Sequence, residues 1–188
     1  MKVAGLLEKY NIPVPRYTSY PTVPVWNEHI ELNHWEQAFK IDFKAQNLQK
    51  GVSLYIHLPF CESLCTYCGC NKKITTNHGV EDEYLNAILA EWKLYTSLMA
   101  ERPVVRELHL GGGTPTFFSP ENLSKMLTEI LGAAVLHPEH EFSFEGHPNN
   151  TTREHLQTLY NLGFRRVSYG MQDNDPEVQR IINRVQPF

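Results

Sequence analysis

The 188 residues are 41% apolar and 20% charged, the balance of an ordinary globular protein with chain enough for one good core. A formal net charge of −4 argues against a nucleic-acid or acidic-membrane partner. Met1 to Tyr17 carries no long apolar signal-type run, no stretch approaches the length of a membrane span, and all four cysteines crowd one segment, which together fit a reducing cytosol.

In chain order, Pro13, Pro15, Pro21 and Pro24 argue against any helix between residues 13 and 24. Residues 33–45, with Trp35, Ala38, Phe39 and Ile41, read as a short amphipathic helix. Residues 1–50 are therefore set apart as an N-terminal arm and helix. A repeat begins at residue 51. Val52 to Leu58 is rich in β-formers and reads as a strand. After a cysteine loop comes a helix over about 80–100, with Tyr84, Leu85, Ile88, Leu89, Trp92 and Tyr95 on one face and acids at 81–83 in its first turn. Val104 to Leu110 is a second strand, ending in Gly111-Gly112-Gly113-Thr114-Pro115. Ser119 caps the next helix, Pro120 takes its first position, and Leu123, Met126, Leu127, Ile130 and Leu131 form its buried stripe. Glu141 to Glu145 is a third strand. Thr151 and Glu154 suggest a capping box for a helix that Gly163 ends. Arg165 to Met171 is a fourth strand, and Asp175-Pro176 opens a fourth helix.

Four successive strand–helix units predict an α/β fold with a parallel sheet and right-handed crossovers. Chemistry in such folds gathers at the carboxyl ends of the strands. The cysteine loop, the triple glycine, Glu145 and Gln172 all fall there, which predicts one active site.

The cysteine loop runs Pro59-Phe60-Cys61-Glu62-Ser63-Leu64-Cys65-Thr66-Tyr67-Cys68-Gly69-Cys70-Asn71. Thiols so crowded do not make a disulfide framework; thiolate ligation of an iron–sulfur cluster or zinc is the better reading. A structural zinc knuckle usually takes two separated pairs of ligands, and no second pair exists; His57 and His78 read as ordinary strand or loop histidines. Three thiolates would hold three corners of a cubane and leave the fourth iron open to a ligand. Tyr67 brings a flat ring beside the metal, where it could stack on a base. Cys70 stands two residues past the third thiol and is read separately, as a non-ligand or a small packed residue. Glycines 111–113 would let a ligand approach the backbone. Glu145 could accept hydrogen bonds from a ribose diol, or be a solvated strand-end acid.

The spacing C-x3-C-x-aromatic-C resembles the signature of the radical S-adenosylmethionine (SAM) superfamily. The longer string through Cys68-Gly69-Cys70-Asn71 resembles more narrowly the oxygen-independent coproporphyrinogen III oxidase family of haem synthesis, and Pro15-Arg16-Tyr17-Thr18-Ser19-Tyr20-Pro21-Thr22 resembles its N-terminal arm. The resemblance implies a partial (β/α)6 TIM-like barrel, with residues 51–188 supplying its first four β/α units and the other strands and a C-terminal domain lying outside this span. It implies a [4Fe-4S] cluster on Cys61, Cys65 and Cys68, with Cys70 not a ligand, and singles out no catalytic side chain. Two SAM molecules follow: Tyr55, Tyr67, Gly112 and Glu145 would hold the first, and Gly113, Thr114, Gln172 and Arg184 the second. The implied reaction is oxidative decarboxylation of coproporphyrinogen III to protoporphyrinogen IX by a 5′-deoxyadenosyl radical. The implied partners are that substrate and an electron donor such as flavodoxin or ferredoxin, for a cytoplasmic enzyme that is monomeric at full length.

Two alternatives stand beside this: a haem-binding chaperone related to the oxidase, and a radical SAM enzyme with another substrate. Such chaperones typically lack the Cys-Gly-Cys-Asn string and the arm motif, so both strings favour the enzyme. One stretch departs from the pattern: Gly146-His147-Pro148-Asn149-Asn150 stands where the family often has an acid and an arginine. Expressed alone, residues 1–188 are expected to assemble a cluster at best poorly, to show no decarboxylation, and to self-associate through the open edge of the fourth strand or exposed apolar faces.

Overall fold

The computed structural model describes residues 3–11, 22–26 and 29–186. The chain divides into two compact units, Met1–Glu36 and Gln37–Phe188. The first contains helix α1 (Val3–Tyr10), which the sequence reading did not anticipate, and a single 3₁₀ turn, Val23–Val25, at Pro24. That turn corrects the helix-free reading of the proline-rich stretch at its last residues. The motif Arg16-Tyr17-Thr18-Ser19-Tyr20 lies outside the described residues.

Helix α2 (Leu32–Gln46) covers the predicted amphipathic segment, but its buried residue is Phe43, whereas Ile41 is 72% exposed. Helical geometry explains the correction. Phe39 and Phe43, one turn apart, stack with centroids 6.1 Å apart, and Phe39 meets Tyr95 at 5.9 Å. Ile41, two residues from each, must then face the other way.

The repeat unfolds as predicted in kind. Strand β1 (Val52–Leu58) leads through two short strands, β2 (Phe60–Cys61) and β3 (Lys73–Ile74), to helix α3 (Glu81–Leu98). Then follow β4 (Val104–Gly112), α4 (Pro120–Gly132), β5 (Val135–Gly146), α5 (Arg153–Asn161), β6 (Phe164–Tyr169) and α6 (Pro176–Ile181). The main sheet is parallel throughout, in the order β1-β4-β5-β6. Each new strand lies beside the last, the winding of a partial TIM-like α/β barrel.

Several boundaries and one cap moved. Strand β5 begins at Val135, six residues before the predicted start, where Val104 pairs with Val135 and Val105 with Leu136. Pro138 and a register shift after Val105 hide that first stretch from a pattern reading. Strand β6 stops at Tyr169 rather than Met171. The capping box of α5 is Thr152 with His155, not Thr151 with Glu154. Thr151 is otherwise engaged, its hydroxyl donating to the His147 carbonyl at 2.9 Å and lying 3.1 Å from that of Thr116.

Alternation gives the sheet two unlike faces. Leu58, Leu108, Leu110, Phe142 and Phe144 are buried in one core with Leu123, Met126, Leu127 and Ile130 of α4 and Leu159 of α5. Each such burial contributes about 1.5–3 kcal/mol before chain entropy is counted. Register pairs Ser53 with Glu107, Tyr55 with His109, His109 with Ser143 and Glu145 with Ser168, which gives the opposite face a polar row. Ser53 donates to Glu107 at 2.7 Å, and Arg166 pairs with Glu141. No helix among the described residues is long and apolar enough to cross a membrane.

Candidate functional site

The loop that carries the cysteines is held at three places. At its neck, β2 and β3 pair in parallel, with Phe60 opposite Lys73 and Cys61 opposite Ile74. The Thr75 N–H donates to the Cys61 carbonyl at 2.9 Å and that of Lys73 to Pro59 at 2.9 Å, so the loop leaves and returns at one point. On the sheet side, the end of β4 continues past Gly112: Gly113 donates to Leu58 at 2.9 Å and Thr114 to Phe60 at 3.0 Å. At the tip, the Thr66 N–H donates to Ile182 at 3.1 Å, and the Asn183 amide donates to Leu64 at 2.8 Å. Asn183 adopts φ 52, a left-handed turn that asparagine tolerates better than most residues.

Between this loop and the carboxyl ends of β4, β5 and β6 lies a cavity of about 690 Å³. Cys61, Cys65, Tyr67 and Cys68 line it from the loop, Gly112, Gly113 and Thr114 from the end of β4, Glu145 from β5, and Gln172 and Arg184 from beyond β6. Two polar groups point at sulfur. The Thr114 hydroxyl is 3.3 Å from Cys61 Sγ, and Arg184 Nη1 donates to Cys65 Sγ at 3.6 Å. Arg184 is itself anchored by Nε and Nη2 to the Gly170 carbonyl at 3.1 and 2.9 Å. Burial, joined by Cys68 and Cys65, holds the Cys61 thiol above its ordinary value, and the Thr114 hydroxyl and the Arg184 charge offset only part of that rise.

Gly112 and Gly113 line the cavity, and all three glycines also serve close packing within the protein. The space each Cβ would occupy is taken by protein. A Cβ on Gly111 would lie 2.9 Å from the Tyr55 ring, on Gly112 2.9 Å from the His57 ring, and on Gly113 2.4 Å from the Pro59 carbonyl oxygen. Gly112 also has φ +118, which side chains rarely adopt. The triple glycine thus seats β1 and the neck of the cysteine loop against β4.

A family model described as the radical SAM superfamily matches residues 55–188. The chain belongs to the radical SAM superfamily. It is 40% identical over 183 residues to an oxygen-independent coproporphyrinogen III oxidase of Helicobacter pylori, covering 96% of this chain and 39% of that protein. Against the protein of that name from Escherichia coli K12 it is 39% identical over 182 residues, covering 97% and 38%. A solved structure of the E. coli coproporphyrinogen III oxidase HemN, a radical SAM enzyme, superposes with a TM-score of 0.82 at 35% identity, covering 97% of this chain and 39% of that one. The chain thus spans about two fifths of the length of these relatives.

The superfamily's cofactors are a [4Fe-4S] cluster and SAM, and the loop's chemistry suits them. All four cysteines line the cavity and offer soft sulfur donors; Cys61, Cys65 and Cys68 are half-buried and Cys70 is exposed. Thr114 and Arg184 supply the polar contacts to sulfur that tune such centres. Among the described residues no three such side chains stand together as a ready metal cage.

Tyr55, expected beside SAM in this superfamily member, is not part of the cavity lining. It lies on the polar face of the sheet, 59% exposed. Its hydroxyl is 3.2 Å from His57 Nδ1, whose Nε2 lies 2.8 Å from the Asn71 carbonyl. A carbonyl only accepts, so Nε2 carries hydrogen, and in the neutral ring Nδ1 accepts the hydrogen bond that the phenol donates. Burial, and then the charges of Glu145 and Cys70, push the Tyr55 phenol up.

Sequence reasoning missed several residues. His147 and Asn149 line the cavity from the segment noted as a departure, and burial and then Arg184 hold the His147 imidazole below its ordinary value. Lys72, whose ammonium donates to the Cys68 carbonyl at 3.0 Å, lines it too. Counting alternate residues back from Glu145 and Gly111 would have put Ser143 and His109 on the same face. The other omission is structural. Glu81, 3% exposed, accepts from Ser119 N at 2.9 Å and Asn122 Nδ2 at 2.8 Å, while its other oxygen is 2.8 Å from His78 Nδ1. His78 stacks on Phe117 at 4.1 Å and reaches Glu62 of the cysteine loop at 3.3 Å. His78 therefore ties the loop to the start of α3, a role the sequence reading did not assign.

Proposed function

We propose that this chain is the cluster- and SAM-binding part of an oxygen-independent coproporphyrinogen III oxidase, which converts coproporphyrinogen III to protoporphyrinogen IX in the cytosol. The observation that carries it is the convergence of the cysteine loop, the glycine turn, Glu145, Gln172 and Arg184 on one cavity, in a chain 35–40% identical to proteins of that name. In this reading Cys61, Cys65 and Cys68 hold the cluster. Tyr67, Gly112 and Glu145 hold one SAM, with Tyr55 beneath, and Gly113, Thr114, Gln172 and Arg184 face a second.

When bound, the cluster and SAM supply a 5′-deoxyadenosyl radical, given one electron from a donor such as flavodoxin or ferredoxin. The chain's own residues position and shield. Thr114 and Arg184 bind thiolate sulfur and stabilise its charge. Glu145 accepts the ribose hydroxyls. Arg184, and His147 beside it, place a cation and a neutral ring in the wall for the carboxylates of a substrate or of SAM.

The test is anaerobic turnover of coproporphyrinogen III by reconstituted enzyme carrying this span at the full length of its relatives, read as protoporphyrin fluorescence after oxidation and as one methionine released per propionate lost. Both products should appear together, and both should vanish with Cys65→Ser. Haem binding without decarboxylation would favour the chaperone. SAM cleavage without porphyrin product would point to another substrate.

A further inference from the structure

The polar face of the sheet holds a histidine that no role above uses. His109 sits mid-sheet on β4, opposite Tyr55 of β1 and Ser143 of β5. Its Nδ1 is 2.8 Å from Ser143 Oγ, and its Nε2 is 3.7 Å from Glu145 Oε1. Among the described residues no other ion pair or side-chain hydrogen bond reaches Glu145. Tyr55 flanks the ring on its other side. The two rings lie nearly parallel, centroids 5.9 Å apart at 19°, and Tyr55 fits there because Gly111 has no Cβ to meet its ring at 2.9 Å.

Proton assignments follow from the partners. At 3.7 Å His109 Nε2 and Glu145 Oε1 lie in ion-pair reach and just beyond hydrogen-bond distance, and the carboxylate, which only accepts, favours the ring tautomer with hydrogen on Nε2. In the neutral ring Nδ1 then accepts, and the Ser143 hydroxyl donates to it. The result is a line of polar side chains, Ser143 hydrogen-bonded to His109 and His109 in ion-pair reach of Glu145, across two strands and ending at the cavity. Glu145 itself has a side chain 49% exposed at a strand end, and without a holder it would sample several rotamers.

We propose that His109 is the positioning residue for Glu145, fixing its carboxylate in the cavity where the ribose hydroxyls of SAM are bound; this rests on the ribose role proposed above for Glu145. The same geometry assigns Gly111 a part at one remove, since it admits the Tyr55 ring that orients His109.

The experiment is a double-mutant cycle on the anaerobically reconstituted holoprotein, with SAM affinity measured by calorimetry. His109→Leu should weaken SAM binding roughly three- to tenfold, the scale of one coupled contact. His109→Gln, which can carry an N–H to the Nε2 position, should bind within about twofold of wild type. His109→Asn keeps the Ser143 contact, drops the one to Glu145, and should behave like His109→Leu; it serves if the leucine variant does not fold. In a Glu145→Ala background His109→Leu should add nothing. A crystal structure of His109→Leu should show Glu145 turned away from its wild-type direction. The proposal is overturned if His109→Leu and His109→Asn bind SAM like wild type while Glu145→Ala does not. It is overturned equally if their loss persists in the Glu145→Ala background, or if Glu145 keeps its direction without His109. Should Glu145→Ala leave affinity unchanged while Glu145 still turns in His109→Leu, the ribose reading fails and the positioning stands.

Discussion

Replacing Gly113 by alanine tests the seating of the cysteine loop most sharply. The added Cβ would lie 2.4 Å from the Pro59 carbonyl oxygen, 2.6 Å from its carbon and 2.9 Å from the Phe60 oxygen, all backbone atoms with no rotamer to relax into. Ordinary contact begins near 3.4 Å, so the loop neck must retreat by about an ångström. Overpacking of this kind costs about 1–3 kcal/mol. The two hydrogen bonds at risk, Gly113 to Leu58 and Thr114 to Phe60, contribute about 0.5–1.5 kcal/mol each. A loss of about 2–4 kcal/mol should lower the unfolding midpoint by roughly 5–15 °C in a protein of this size. Because the neck carries Cys61, iron and sulfide content after anaerobic reconstitution should fall with it. Gly132, with nothing within 4 Å of its missing Cβ at the end of α4, is the control; Gly132→Ala should be silent or stabilise by up to about 1 kcal/mol. Circular dichroism melts with iron and sulfide assays decide the matter. A Gly113→Ala protein with the wild-type midpoint and a full cluster would refute the idea that close backbone approach is why glycine stands there.

Serine at Cys61, Cys65 or Cys68 should abolish cluster binding, whereas Cys70→Ser should keep it; equal iron loss at Cys70 would sink the three-plus-one assignment. Glu81→Ala should cost about 2–4 kcal/mol in urea unfolding, because it strands the Ser119 and Asn122 donors, with partial recovery in Glu81→Gln. His78 makes a pH prediction. Its hydrogen bond to Glu81 is the largest influence and Glu62 adds to it, against burial, so its folded value is raised above 6.5. That stabilisation is fully present below 6.5 and is lost as pH rises through the raised value. With the ring half exposed, the effect should stay under about 1 kcal/mol. The stability gap between wild type and His78→Asn should shrink between about pH 6 and about pH 8, and a gap that widens instead would reverse the assignment.

Much of the architecture was legible because local signals agreed with one another. Ser119 with Pro120, Asp175 with Pro176, and Gly163 at φ +98 mark helix ends by backbone chemistry alone, and the structure places all three as read. The capping box of α5 failed where two candidates competed. Thr151 and Thr152 are equal in sequence, and only the fold shows that Thr151 is engaged by Thr116 and the His147 carbonyl. Likewise Ile41 and Phe43 are equally apolar, and only the position of Tyr95 decides which side of α2 turns inward.

The candidate site divides along the same line. The spacing of Cys61, Cys65 and Cys68 within one loop, and the placement of Glu145 and the glycines at strand ends, depend on neighbours a few residues apart, so the linear chain determined them. What needed the tertiary structure was every relation across strands. The pairing of β2 with β3 that closes the loop, the reach of Arg184 to Cys65, and the line from Ser143 through His109 to Glu145 join residues far apart in the chain. Most telling are glycines 111–113. Their identity was plain in the sequence, but whether the missing side chains make room for a ligand or for protein depends on what the fold packs against them. In the space where each Cβ would stand, the fold packs Tyr55, His57 and Pro59.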